Sequence, residues 1–171
     1  MLIRQEAAAD FDAIDSVHRA AFADQAPAGE PVEVNLVRLL RNDAGWVPGL
    51  SLVAEHAGTL VGHVVCTEGS LCGAAAVGLG PIGVLPEHQN LGVGGALMHA
   101  VLGAADALGY DVVLLLGHLG YYPRFGFVPA DTIGVTPTNP DWGDHFQARP
   151  LSAWTSSVRG TFHYAKPFDA L

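Results

Sequence analysis

The chain holds a single lysine, Lys166, and 8 basic residues stand against 17 acidic ones over 171 residues, a formal charge of −9. Neutralising a nucleic-acid backbone takes clustered Lys and Arg, so no nucleic-acid partner is expected. Cys66 and Cys72 are the only cysteines. They are too few for a disulfide framework and read as reduced thiols. Long apolar runs are also missing. The longest uncharged stretch, Gly69 to Pro86, contains five glycines and two prolines. A membrane helix needs about 20 mostly apolar residues, so no membrane partner is expected. The opening Met1-Leu2-Ile3-Arg4-Gln5-Glu6 has no apolar leader core, and a cytoplasmic protein is expected. Charged residues make up 15% and apolar ones 50%, against about 25% charged in a typical soluble domain. This composition excludes a disordered chain and suits one domain over residues 1–171. It also leaves open an apolar face buried in a homodimer.

The order of elements follows from periodicity and turn residues. Leu2 to Gln5 reads as a strand. Asp10 is placed to cap a helix whose apolar positions are Phe11, Ile14, Val17, Ala21 and Phe22. A second helix is expected over Pro31 to Arg41, and Trp46 to Gly49 reads as a loop. Leu50–Glu55 and Leu60–Val65, around His56-Ala57-Gly58, form a hairpin signal. Ala75 to Leu85 is β-like, with Pro81 and Gly83 interrupting it. Gly92 opens a helix with the stripe Val93, Leu97, Val101, Ala104 and Leu108, and Gly109 stands where a cap glycine belongs. Asp111 to Gly117 reads as a strand buried on both faces. An aromatic turn, a strand from Phe127, a loop from Thr136 to Trp142 and a last strand near Val158 to Tyr164 follow. Strands on both sides of the central helix imply an α/β fold with a mixed sheet and a crossover.

Two motifs carry chemistry. Gln89-Asn90-Leu91-Gly92-Val93-Gly94-Gly95 joins a strand to a helix, where glycines allow close approach and free N–H groups attract an anion. A Walker-type loop would need a lysine after its glycines, and none precedes Lys166. A dinucleotide fingerprint would need a small residue at Leu97 and an acid at the end of the next strand. A pyrophosphate held by backbone amides fits an acidic protein without a basic patch. The second motif is Tyr121-Tyr122-Pro123-Arg124-Phe125-Gly126-Phe127, an aromatic turn after the buried strand. No Gly-x-Ser-x-Gly elbow or His-Glu-x-x-His helix is present. His56, His63, Cys66 and Cys72 match no familiar zinc spacing, so no metal is expected.

On these two motifs, the preceding Leu79 to Val84 strand and the order of elements, the chain resembles the GNAT superfamily of N-acetyltransferases over nearly its whole length. The resemblance implies a GNAT-like fold in which two strands splay apart and acetyl-CoA serves as co-substrate. It places the pantetheine arm at Ile82, Gly83 and Val84, and the pyrophosphate at Gln89, Asn90, Gly92, Val93 and Gly94. Arg124 would reach a cofactor phosphate or form a surface ion pair.

The implied reaction is attack of an amine on a thioester, which needs close positioning, carbonyl polarisation and a proton for the thiolate. Tyr122 stands where many members carry their acid, with Tyr121 beside it. Many members place a glutamate on the strand before the loop, but Leu79-Gly80-Pro81-Ile82-Gly83 contains no acid. The substitutes are His118, which follows the buried strand, together with Glu68, His63 and Glu33; His118 also reads as a turn histidine bonded to a backbone carbonyl. The acceptor, a small-molecule or peptide amine, would sit between the first two helices, the hairpin and Thr136 to Trp154, with Trp142, Phe146 and Trp154 lining it or filling the core. The alternatives are an acyl-CoA-sensing domain without catalysis and a Rossmann-type nucleotide enzyme.

Overall fold

The computed structural model describes residues 1–170. The first strand, β1 (Leu2–Gln5), precedes α1 (Phe11–Ala21) and α2 (Val32–Leu40). Then come β2 (Trp46–His56), β3 (Thr59–Leu71) and β4 (Ala74–Val84), followed by α3 (Val93–Ala107) and β5 (Val112–Leu116). The remaining strands are β6 (Val128–Pro129), β7 (Val135–Thr136), β8 (Phe146–Pro150) and β9 (Gly160–Thr161). A seven-stranded sheet runs in the order β1-β2-β3-β4-β5-β8-β6, and β7 and β9 form a separate parallel pair. All neighbours in the large sheet are antiparallel except β4 and β5. The α3 crossover supplies that one parallel pair, as the sequence requires.

Each face of the sheet has its own core. The α3 face buries Val64, Cys66, Val77 and Leu79 under Leu97, Met98 and Val101. The opposite face buries Val53 and Val65 under Ile14 of α1 and Val37 and Leu40 of α2. A third cluster, built on Val112, Leu114, Phe146 and Phe162, fills the C-terminal end. No helix of the described residues is long and apolar enough to cross a membrane.

Three expectations need correction, and one strand has no counterpart among them. Trp46 to Gly49 is the start of β2 and not a loop; the register shifts between Trp46 and Ser51, which accommodates Pro48 and Gly49. The strand near Val158 to Tyr164 shrinks to Gly160–Thr161. β8 was not foreseen at all; it lies between β5 and β6, with Gln147 buried and Arg149 hydrogen-bonded to Phe125 O. Asp10 does not cap α1 through its side chain; it accepts from Ala7 N–H (2.7 Å) and from Arg4.

Candidate active site

The site is an opening in the sheet. β4 and β5 are hydrogen-bonded only at Ala76↔Val112, Val77↔Val113 and Gly78↔Leu114. Beyond Gly78 they separate: β5 stays paired with β8 through Leu116↔Phe146, and β4 stays paired with β3 through Gly62↔Val84. The Leu79 to Val84 edge that faces β5 is therefore left without a partner strand. A bulge accompanies the separation. Val64↔Ile82 and Cys66↔Leu79 are in register, so Val65 alone opposes Gly80 and Pro81. Proline suits this place because it has no N–H to offer a ladder.

The loop from β4 to α3 closes one end of the opening. Asn90 (φ 60°) and Gly92 (φ 87°) take left-handed conformations that turn the chain into the helix. The first α3 hydrogen bond runs from Ala96 N–H to Gly92 O at 2.9 Å. The N–H groups of Val93, Gly94 and Gly95 thus precede any helical acceptor and form an anion cradle. The Gln89 side chain does not point into this cradle. Its Nε2 donates to Val84 O at 3.1 Å and pins the loop to the end of β4. Tyr121 borders the cradle, since a methyl on Gly94 would approach its hydroxyl to 3.1 Å. The Arg124 guanidinium stacks 4.7 Å from the Tyr121 ring centre and donates to Gly120 O.

A cavity of about 480 Å³ opens over the bulge, with Leu79, Gly80, Pro81 and Ile82 as its floor. Phe22, Glu33 and Leu36 form the wall on the α1 and α2 side. Leu116, Tyr122, Trp142, Tyr164 and Phe168 form the other. Tyr122 is held by edge contacts with Tyr121 and Phe127, 5.0 and 5.9 Å between ring centres. Burial, reinforced by Tyr121 nearby, pushes its hydroxyl up to about 12. It is therefore a protonated phenol throughout the neutral range.

An adjoining cavity shares Phe22, Leu116, Tyr122 and Trp142 and adds His118, Asp141 and His145. His118 is exposed there. It is His145, not His118, whose ring meets a backbone carbonyl, that of Gly117 at 3.1 Å. Of the three aromatics considered for the acceptor side, Trp142 lines the cavity, Phe146 is buried in the C-terminal core, and Trp154 packs against that core. Glu68 is not on the cavity wall; it accepts from the Tyr110 hydroxyl at 2.7 Å. Phe22, Leu36, Tyr164 and Phe168 were not anticipated as lining residues. Nothing local marks Tyr164 and Phe168, because the short turn Lys166–Ala170 brings them back over the sheet. Among the described residues, no three His, Cys, Asp or Glu side chains cluster as a metal site.

A split mixed sheet with a helix N-terminus at one end of the opening and a half-buried phenol on its wall is the architecture expected of an acyl transferase that works on a thioester. The model of the acetyltransferase (GNAT) domain matches residues 48–129. Over 143 residues the chain is 39% identical to the uncharacterized N-acetyltransferase YjhQ of Escherichia coli K12, covering 79% of each sequence. The crystal structure of the E. coli GNAT family N-acetyltransferase YhbS, in complex with CoA, has a TM-score of 0.87 and 29% identity over 98% of this chain and 91% of that one. A GNAT family acetyltransferase from Brucella melitensis, in complex with acetyl-CoA, has a TM-score of 0.76 and 32% identity over 98% and 97%. This chain belongs to the GNAT family of acetyltransferases.

Proposed function

We propose that the protein transfers the acetyl group of acetyl-CoA directly to a primary amine, within a ternary complex and without a covalent acetyl-enzyme. The observation that carries this reading is the unpaired Leu79 to Val84 edge, which ends at the α3 cradle and passes under Tyr122. The pantetheine arm lies against Ile82, Gly83 and Val84. The pyrophosphate meets the cradle at Asn90, Gly92, Val93 and Gly94, while Gln89 holds that loop in place.

With the thioester above the bulge, Tyr122 protonates the departing sulfur. Its raised pKa keeps the proton available, and its cavity position puts the hydroxyl on the reacting side. The acceptor enters over Phe22 and Leu36, where Glu33, the one carboxylate on this cavity's wall, attracts its ammonium form; the amine attacks after giving one proton to solvent, and the nitrogen releases a second to solvent as the amide forms. His118 borders the adjoining cavity and contacts acceptors long enough to extend there.

The test is calorimetric titration with acetyl-CoA and with NAD, followed by CoA thiol release with benzylamine, spermidine and a peptide with a free N-terminus. Saturable binding of acetyl-CoA alone, with thiol release for at least one amine, is the expected result. Binding without release for any amine would favour the acyl-CoA-sensing reading, which the lack of a carboxylate on Leu79 to Gly83 supports. Binding of NAD instead would overturn both.

A further inference from the structure

The cavity over the bulge is chemically lopsided. Phe22 and Leu36 stand on one side of it, and Trp142, Tyr164 and Phe168 on the other. The aromatic side is continuous. The Trp142 and Tyr164 rings meet edge to face at 6.1 Å between centres, and Tyr164 and Phe168 lie 4.7 Å apart. Against these apolar faces stands one charged side chain, Glu33.

Glu33 is half-buried, and nothing in the chain neutralises it. The arginines of α1 and of the α2 end are engaged elsewhere: Arg19 with Glu30 at 2.6 Å, Arg38 with Asp15 at 2.7 Å, and Arg41 with Glu6 at 2.9 Å. Glu33 itself has no ion-pair partner among the described residues. A carboxylate on an apolar wall, without a cation of its own, suits a cation brought by a ligand.

What the cavity lacks narrows the ligand further. Among the described residues that line it or the adjoining cavity there is no lysine or arginine. An acceptor with a carboxylate or phosphate beside its amine would meet Glu33 without a counter-charge. A peptide would bring backbone amides that these walls leave unsatisfied, and each one buried without a partner weakens binding. A polyamine would bring two or more ammonium groups to a cavity with one carboxylate; Asp141, in the adjoining cavity, is exposed, where water and salt screen it. A single amine on a short tether to an aromatic ring meets all of these conditions. The ring packs on Trp142, Tyr164 and Phe168 in the offset or edge geometries that aromatic pairs favour, and the ammonium turns to Glu33. A cavity of about 480 Å³ has room for such a molecule.

We infer that the acceptor is an arylalkylamine: a primary amine on an aromatic body, free of carboxylate and phosphate, selected by Glu33. This rests on the acetyltransferase reading given above and names its substrate class. Glu33 binds the ammonium and does not react. The ammonium gives one proton to solvent, and its nitrogen forms the C–N bond. The C–S bond breaks toward the sulfur, which takes the Tyr122 proton. The nitrogen loses its second proton to solvent, from which Tyr122 recovers its own.

The experiment compares kcat/KM for phenethylamine, L-phenylalanine, L-phenylalaninamide and spermidine in the full chain, at one pH and with saturating acetyl-CoA. Phenethylamine should exceed L-phenylalanine by about 100-fold or more, because a carboxylate placed against Glu33 is repelled. L-phenylalaninamide, which keeps the bulk of that group and drops its charge, should lie between the two. Spermidine should fall at least about tenfold below phenethylamine. Glu33→Gln should raise the KM for phenethylamine about tenfold with little change in kcat, and narrow its lead over L-phenylalanine by a similar factor. An unchanged Kd for acetyl-CoA shows that the variant is folded. L-phenylalanine, spermidine or the peptide used as well as phenethylamine overturns this inference and leaves acetyl transfer standing. So does L-phenylalaninamide rejected as strongly as L-phenylalanine, or a Glu33→Gln enzyme with unchanged KM and selectivity. A wild type that acetylates no amine sinks the acetyltransferase reading, and this one with it.

Discussion

Gly117 lies directly beneath the ring of Tyr122, so close that even a methyl at 117 would overlap the ring edge. The end of β5 and the aromatic turn are thus fitted to each other with no room for a side chain. Gly117 N–H is tied to His145 O at 2.9 Å, which limits how far the backbone can retreat. Gly117→Ala must therefore move the tyrosine. Its kcat is expected to fall at least tenfold while acetyl-CoA affinity stays within about threefold, because a misplaced acid is costly and the cradle is untouched. Steady-state kinetics beside calorimetry checks the split.

Tyr122→Phe keeps the ring and removes the proton. A drop in kcat of roughly 100-fold, with acetyl-CoA Kd nearly constant, is expected. Equal losses in rate and affinity would show that the ring packs and does not donate. Since the Tyr122 hydroxyl is pushed up to about 12, the wild-type profile should show no loss from Tyr122 ionisation between pH 7 and 9.

Two glycines of one helix should respond in opposite directions. Gly92 has φ 87°, so Gly92→Ala forces a left-handed alanine at an estimated 1–2 kcal/mol, with a lower melting temperature and weaker acetyl-CoA binding. Gly103 is helical, and a methyl there meets nothing within 4 Å. Gly103→Ala should raise stability by about 0.5–1 kcal/mol and leave the kinetics alone. Thermal melts with and without acetyl-CoA measure both.

Acid should destabilise the fold in two stages. His18 and His63 are buried neutral and their pKa values are lowered from 6.5, so the unfolded chain binds more protons. The stability they contribute is complete above pH 6.5 and falls below it. Burial by itself would raise the Glu6 carboxyl, but hydrogen bonds from His63, Arg41 and Ser51 win and bring it from 4.5 to about 2. Its contribution is full above pH 4.5 and is lost toward pH 2. Urea unfolding from pH 8 to 3 should give a plateau, a decline below about 6.5 and a steeper one below about 4.5.

The Arg41 and Glu6 side chains are only 9% and 6% exposed. Glu6→Gln leaves the guanidinium buried without its counter-ion and should cost about 3–5 kcal/mol. It should also weaken the lower of the two acid stages without abolishing it, because the Arg4 guanidinium and the Ala7 N–H likewise hold the Asp10 carboxyl down at about 2. A loss under about 1 kcal/mol in urea titration would mean that the pair is effectively solvated.

The parts of the fold legible in the sequence are those with one strong period. α3 announces itself by Val93, Leu97 and Val101 all falling on one stripe, and β5 by an unbroken apolar run; both lie close to where they were expected. β8 alternates, with Phe146 and Ala148 apolar and Gln147 and Arg149 polar, but the period runs for only four residues before Pro150, and the buried Gln147 is placed by Gly117 O and Arg149 by Phe125 O, both from distant segments. The loop and tyrosine motifs lay on contiguous residues and could be read directly. The buried polar contacts that link Glu6, Arg41, Ser51, His63 and His18 could not be, since they join five separate segments. One signal was available: His18 falls on the inward stripe of α1 with Ile14 and Val17, where a polar side chain must find a buried partner.

The face of β4 toward α1, α2 and the C-terminal aromatics is built from Ala76, Gly78, Gly80 and Gly83, and a methyl on any of those three glycines would meet side chains of the covering segments, among them Tyr164, Leu40 and His18. The strand therefore contributes almost no shape of its own to that side. What fills the space is decided by Phe22, Glu33 and Leu36, which come before the hairpin, and by Trp142, Tyr164 and Phe168, which come long after the tyrosine turn. In the proposed reaction the grip on the donor, by contrast, falls between Ile82 and Gly94. On that reading, acceptor taste and donor handling are written in separate stretches of the gene. A lineage can rewrite its choice of amine by exchanging the two flanks while inheriting the acetyl-handling middle unaltered.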